Sequence, residues 1–188
     1  MASSSATDGN TTSAFFYGTL MVPEVVYTVC YNVKNVPRSI SKQHTFNPAI
    51  LHGYSRHRVA DADYPGIIAD KAGENNTVFG MLVTGLTKAN LKKLDYFEGD
   101  QYERREVKVK LLEKVGNAQG EGNIEGEERT AQVYIFNDEN ALEKREWDFE
   151  EFRRDKLHKW TRAGFVFKDC DPDHPAVVAV EKREEAEN

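Results

Sequence analysis

The chain is predicted to be mixed α+β, one domain whose strongly curved sheet or barrel is flanked by helices. Three observations lead there. The periodicities run strand, helix, several strands, helix, two strands, helix, an order that suits a mixed α/β domain. The 188 residues fit one domain, long enough to bury a full core without disulfide staples. No internal repeat and no linker-like stretch interrupts the middle of the chain.

Residues 1–13 are rich in Ser, Thr and Ala and read as a disordered leader. They lack the positive n-region and apolar h-region of a secretory signal. The domain is placed at residues 14–170 and a charged, loose tail at 171–188. Ala14-Phe15-Phe16-Tyr17 is a short aromatic run ended by Gly18, the pattern of a buried strand meeting a sharp turn. Pro23 followed by Glu24 is a helix start, although the valines that follow favour a strand. Residues 32–48 are polar with two prolines and read as a loop or insertion. Residues 49–59 read as a strand, Tyr64-Pro65-Gly66 as a turn, and residues 67–69 as a return to extended chain. Residues 77–86 are rich in strand formers. Thr87 then caps a helix over 88–97, with Leu91, Leu94 and Phe97 at helical spacing and Gly99 at its end.

Residues 102–111 give the clearest strand. Val107, Val109 and Leu111 alternate with Glu106, Lys108 and Lys110. The Gly- and Glu-rich stretch 115–128 reads as a mobile hairpin loop, and 130–136 as the strand that pairs back. Residues 147–162 read as a helix with Trp147, Phe149, Phe152, Leu157 and Trp160 on its apolar side.

Composition narrows the function classes. The formal charge is −6, with no long basic stretch to neutralise phosphates, so nucleic acid is not expected as a partner. No run of about 18 apolar residues exists to cross a membrane. Cys30 and Cys170 form no disulfide framework and read as free thiols of a reducing, cytoplasmic compartment. His44, His52, His57, His158 and His174 show no metal-ligand spacing, and neither a phosphate loop nor a nucleophile elbow is present. No cofactor and no metal is expected.

Two segments carry possible chemistry. Tyr17-Gly18-Thr19-Leu20 ends a strand on Gly and a hydroxyl residue. Such a turn points backbone N–H groups into one space and binds an anion, or is a plain tight turn with a capping Thr. In Asp95-Tyr96-Phe97-Glu98-Gly99-Asp100-Gln101-Tyr102, Glu98 stands at the negative end of a helix, beside Phe97. It is a carboxyl of raised pKa able to pass a proton, or a solvated helix-end Glu.

Taken in order, these pieces resemble the γ-glutamylcyclotransferase superfamily, near the branch that includes plant avirulence-induced proteins and fungal relatives. The matching pieces are Tyr17-Gly18-Thr19-Leu20, Tyr64-Pro65-Gly66-Ile67, Leu94-Asp95-Tyr96-Phe97-Glu98-Gly99, Tyr102-Glu103-Arg104-Arg105-Glu106-Val107 and Val133-Tyr134-Ile135, spread over residues 14–165. The resemblance implies a cyclotransferase-type barrel and a small γ-glutamyl substrate. It implies that Tyr17, Gly18, Thr19 and Leu20 hold that substrate, that Glu98 is the general acid/base, and that Tyr102 and Tyr134 line the pocket or serve as core aromatics. The implied reaction releases 5-oxoproline from a γ-glutamyl amide. The alternatives are a cyclotransferase or lyase specific for γ-glutamylamines or a tailored intermediate, and a binding module without turnover. The leader, the 32–48 insertion and the 115–128 loop depart from a minimal member and leave the leaving-group side open.

Overall fold

The computed structural model describes residues 11–33 and 36–161. Five strands close into a barrel, in the order β1 (Thr12–Phe16), β5 (Thr77–Leu86), β2 (Phe46–His52), β6 (Tyr102–Lys114) and β7 (Ile124–Phe136). All neighbours are antiparallel except at the seam, where Ala14 of β1 meets Gln132 of β7 in parallel. β3 (Tyr54–Arg58) and β4 (Pro65–Ala69) form a separate two-stranded sheet. α1 (Pro23–Tyr31) and α3 (Lys88–Glu98) pack on each other, and α2 (Arg38–Ser41) is a single turn.

Because side chains alternate along a strand, the barrel strands feed two cores. Phe15, Leu51, Val78, Leu82, Val109 and Val133 enter one, joined by Ile67 of β4. Phe16, Val83, Leu86 and Tyr134 enter the other, where they meet Val25 and Val26 of α1 and Leu91 and Leu94 of α3. That burial explains why the valine-rich 23–31 segment is helical. Val25, Val26 and Val29 all point into the second core, and tertiary packing overrides their weak helix propensity.

α3 begins as the sequence predicts. The Thr87 side chain accepts from the Asn90 backbone N–H at 3.1 Å, and the Asn90 side chain accepts from the Thr87 N–H at 3.0 Å. This is a reciprocal capping box, with Asn in the place usually held by Glu. The helix runs one residue further than expected and stops at Gly99, whose φ of +67° suits no side chain well.

Elsewhere the elements depart from expectation. Residues 49–59 are two strands, not one. Gly53, at φ +79°, turns the chain out of the barrel and into the second sheet. The polar 32–48 stretch contains α2, and β2 already starts at Phe46. The loop expected over 115–128 ends at 123, because Ile124 pairs with Lys114 and Glu125 with Leu112 despite their exposed, charged neighbours. Register shifts around Leu112 let β6 bury Leu112 after Val109, which breaks the simple alternation seen in the sequence.

β1 begins at Thr12, within the stretch read as a leader, and residues 1–10 lie outside the described part. The terminal helical segment starts after Trp147, at the cap Asp148. It runs through α4 (Phe149–Glu151), a wider π-type turn (Phe152–Lys156) and α5 (Leu157–Thr161). Arg162, the expected end of that helix, and the 171–188 tail lie outside the described residues.

Candidate active site

The cavity of interest forms where the two cores meet. β1 ends at Phe16, and Tyr17-Gly18 leads into a short 3₁₀ turn, Thr19–Met21. The turn's own bonds run from Met21 N–H to Gly18 O and from Val22 N–H to Thr19 O. The N–H groups of Gly18, Thr19 and Leu20 stand outside that ladder. A Cβ at Gly18 would lie 2.8 Å from the Pro65 ring. Gly18 is therefore needed for the approach of β4 to this turn, a closer reason than room for a ligand.

Glu98 is the last residue of α3, and its side chain lines the same cavity with Tyr17, Gly18, Thr19, Leu20, Tyr102 and Tyr134. Phe15, Phe16, Tyr64 and Pro65 complete the wall of this partly open cavity of about 30 Å³. The seven residues singled out from the sequence thus border one cavity. The sequence did not single out Tyr64 and Pro65 as site residues, although they belong to the Tyr64-Pro65-Gly66-Ile67 element already recognised.

Among the described residues, the Glu98 carboxyl forms no hydrogen bond or ion pair. The residue keeps some accessible surface because it borders the cavity, yet the protein around it withdraws the carboxyl from bulk water. Burial alone pushes its pKa from the usual carboxyl range up to about 8. Its charge reaches Tyr17, Tyr102 and Tyr134, and with burial as the larger cause it helps hold all three phenols well above 10.

Those three hydroxyls have no free proton. Tyr17 donates to the Tyr134 carbonyl at 2.5 Å, Tyr102 to the Pro65 carbonyl at 2.8 Å, and Tyr134 to Asp95 Oδ1 at 2.9 Å. Carbonyl and carboxylate oxygens have no proton to give, so each tyrosine must be the donor. The Tyr17 oxygen also accepts from the Ile67 backbone. Glu98 and the Gly18–Leu20 turn border the same cavity.

Arg56 of β3 braces the turn from behind. Its Nη1 donates to the Tyr17 carbonyl at 2.9 Å and the Phe79 carbonyl at 3.2 Å, and its Nη2 pairs with Glu146 at 2.7 Å. A larger groove of about 700 Å³ lies on the β3–β4 side. Its charges mostly pair among themselves, as in Lys71–Glu139 at 2.7 Å, and it holds none of the cavity residues.

Other side chains offer less chemistry. Cys30 is free and buried, and burial pushes its thiol up to about 12, too high for a nucleophile; Cys170 lies outside the described residues. Among the described residues no three His, Cys, Asp or Glu side chains gather as metal ligands. No helix there is long and apolar enough to cross a membrane.

Fold and site together define a class: small α+β barrels in which a helix-end carboxyl, withdrawn from water, faces a backbone turn at the end of the first strand. A family model described as "Gamma-glutamyl cyclotransferase, AIG2-like" matches residues 14–154, and the chain belongs to that family. It is 33% identical over 141 residues to AIG2-like protein C of Arabidopsis thaliana, covering 74% of this chain and 68% of that one. Protein AIG2 C of the same plant is 28% identical over 149 residues, covering 79% and 76%. Among solved structures it is similar to an Arabidopsis thaliana protein determined in solution, with TM-score 0.50 and 26% identity, covering 97% of this chain and 83% of that one.

Proposed function

We propose that the protein is a γ-glutamylcyclotransferase-type enzyme that releases 5-oxoproline from a γ-glutamyl amide, with Glu98 as general acid/base. The observation that carries this reading is the Glu98 carboxyl, unpartnered, withdrawn from water and with its pKa raised to about 8. A carboxyl of that pKa exchanges protons readily near neutral pH. Family membership and the placement of Glu98 and the 17–20 turn on one cavity support the same reading.

In the proposed step the substrate's α-carboxylate lies on the N–H groups of the Gly18–Leu20 turn. The α-ammonium gives a proton to Glu98 and becomes an amine. That nitrogen forms a bond to the side-chain carbonyl carbon and closes a five-membered ring. The old amide C–N bond then breaks, its nitrogen takes the proton from Glu98 as it leaves, and the ring nitrogen gives its second proton to the departing amine, which leaves as an ammonium. Protons and charge balance without a co-reactant. Tethered attack supplies about 7–11 kcal/mol of the barrier when well oriented. Two proton transfers through one carboxyl add about 10²–10⁴-fold. A γ-glutamyl amide is larger than a cavity of about 30 Å³, so it must extend through the cavity's open side or widen it on binding.

The test is to incubate the protein with a panel of γ-glutamyl amino acids, peptides and amines and to measure 5-oxoproline by mass spectrometry. Release from at least one compound, absent with Glu98→Gln, is the expected result. Binding without release from any of them would favour a non-catalytic module and sink the reading.

A further inference from the structure

Asp95 stands one helical turn before Glu98 on α3 and has no part in the reaction described above. Its Oδ1 accepts two bonds, from the Tyr134 hydroxyl at 2.9 Å and from Arg104 Nε at 2.7 Å. Its Oδ2 accepts from Arg104 Nη2 at 3.2 Å. Arg104 of β6 lies directly opposite Tyr134 in the β6–β7 pairing, and its Nη1 also donates to Gln132 at 3.3 Å. One carboxylate thus joins the helix carrying Glu98 to both strands that bring tyrosines into the cavity.

Tyr134 has one proton and two acceptors within its electrostatic reach, Asp95 and Glu98. Only Asp95 receives it. The remaining groups that face Glu98 are Tyr17 and Tyr102, whose protons go to backbone carbonyls. Tyr64 on the cavity rim donates to Gln101. The Arg104 guanidinium is engaged by Asp95, and Arg56 by Glu146 and two carbonyls.

We propose that Asp95 is a positioning residue of this site: it captures the Tyr134 hydroxyl proton, so that Tyr134 meets the ligand as an acceptor and Glu98 is left without a protein donor. Without Asp95, the Tyr134 hydroxyl is free to turn its proton toward the Glu98 carboxylate. A donor to the charged form stabilises it and lowers its pKa. Glu98 would then be a poorer base for an ammonium, and the acceptor meant for that ammonium would be lost. Arg104 acts one step further out, since it fixes the Asp95 rotamer through two parallel N–H bonds.

The functional weight of this device rests on Glu98 being the acid/base group, so its test reads the carboxyl itself rather than turnover. The full chain is labelled with ¹³C at the glutamate side-chain carboxyl, Glu98 is assigned by its loss in Glu98→Gln, and its titration is followed by NMR. The parent midpoint is expected near 8. Asp95→Ala should lower it by about one pH unit. The Asp95 side chain is 41% exposed, so this variant is expected to fold, and Asp95→Leu is the space-filling substitute if it does not. Asp95→Asn keeps the oxygen that takes both short bonds and should stay near the parent. Tyr134→Phe should also stay near the parent, and Asp95→Ala added to Tyr134→Phe should produce no further drop. Such a pattern in a protein that turns over no γ-glutamyl compound would uphold the clamp while removing the function proposed above. An unchanged midpoint in Asp95→Ala, or an equal drop in the Tyr134→Phe background, would overturn the proposal.

Discussion

A carboxyl held out of water keeps its proton to higher pH than one in an unfolded chain, and for Glu98 that difference links chemistry to stability. Its folded pKa, about 8, lies above the unfolded value of 4.5. The folded state therefore binds more protons between those limits, and stability falls as pH rises through that window. The slope is up to about 1.4 kcal/mol per pH unit, and less in practice because the residue borders a cavity that water can enter. Glu98→Gln removes the titration. It should lower turnover by at least about 10²-fold while raising the melting temperature above the parent at pH 8–9 and leaving it nearly equal near pH 4.5. Melts across pH, run beside the 5-oxoproline assay, check both halves; a variant that melts below the parent at pH 9 would contradict the account. Gly18 gives a second prediction at this scale. Gly18→Ala sets a methyl 2.8 Å from the Pro65 ring and should cost about 1–3 kcal/mol while weakening binding of 5-oxoproline. Pro65→Ala in the same chain should relieve much of that cost, which a double-mutant cycle by chemical denaturation measures.

Secondary elements were legible in the sequence wherever the signal is local. β5 has the bounds expected for it, and α3 carries its start in Thr87 and its stop in Gly99, each a short-range device. The cap gives a direct prediction. Thr87→Ala leaves the Asn90 N–H without its side-chain acceptor and should cost about 1 kcal/mol in a urea titration, with no change in denaturant sensitivity. What failed was set by partners distant in sequence. Gly53 sits inside a run that reads as continuous strand, and only the two sheets on either side of it reveal the break. Residues 124–128 look like loop because they are charged and Gly-bearing, yet pairing with β6 satisfies their backbone. Replacing 115–123 with a two-residue Asn-Gly turn should therefore leave stability within about 1 kcal/mol, since closure depends weakly on loop length. Extending the deletion through 128 should destabilise, because it removes ladder bonds to Lys110 and Leu112. The same contrast holds in the site. Glu98, Tyr102, Tyr134 and the 17–20 turn each belong to a recognisable local motif. Asp95 shares the motif that holds Glu98, but its bond to Tyr134, like that of Arg56 to Tyr17, spans 39 residues, and the local sequence does not announce either contact.

At the scale of the whole molecule, one side chain ties the barrel, the second sheet and the chain leading to the terminal helices together. Arg56 leaves β3 with only 10% of its side chain exposed. Its guanidinium reaches the Tyr17 carbonyl just past β1, the Phe79 carbonyl on β5 and the Glu146 carboxylate, and it lies 5.7 Å from the centre of the Trp147 ring. Trp147 in turn donates to the Asp63 carbonyl in the loop before Pro65, so both walls of the cavity hang on this group. A planar fork with five donors suits four acceptor contacts in three directions, and an ammonium does not. Arg56→Met fills the space but leaves two carbonyls and a carboxylate short of a donor. It should cost about 2–4 kcal/mol. Arg56→Lys should recover part of that stability through Glu146 while failing to hold Tyr17 and Phe79 together, so binding of 5-oxoproline stays weak even where the fold is restored. Denaturant midpoints and calorimetric titration with 5-oxoproline separate the two effects. If Arg56→Lys restores binding in step with stability, the guanidinium is only a structural tie, and the 17–20 turn does not depend on it for its place in the site.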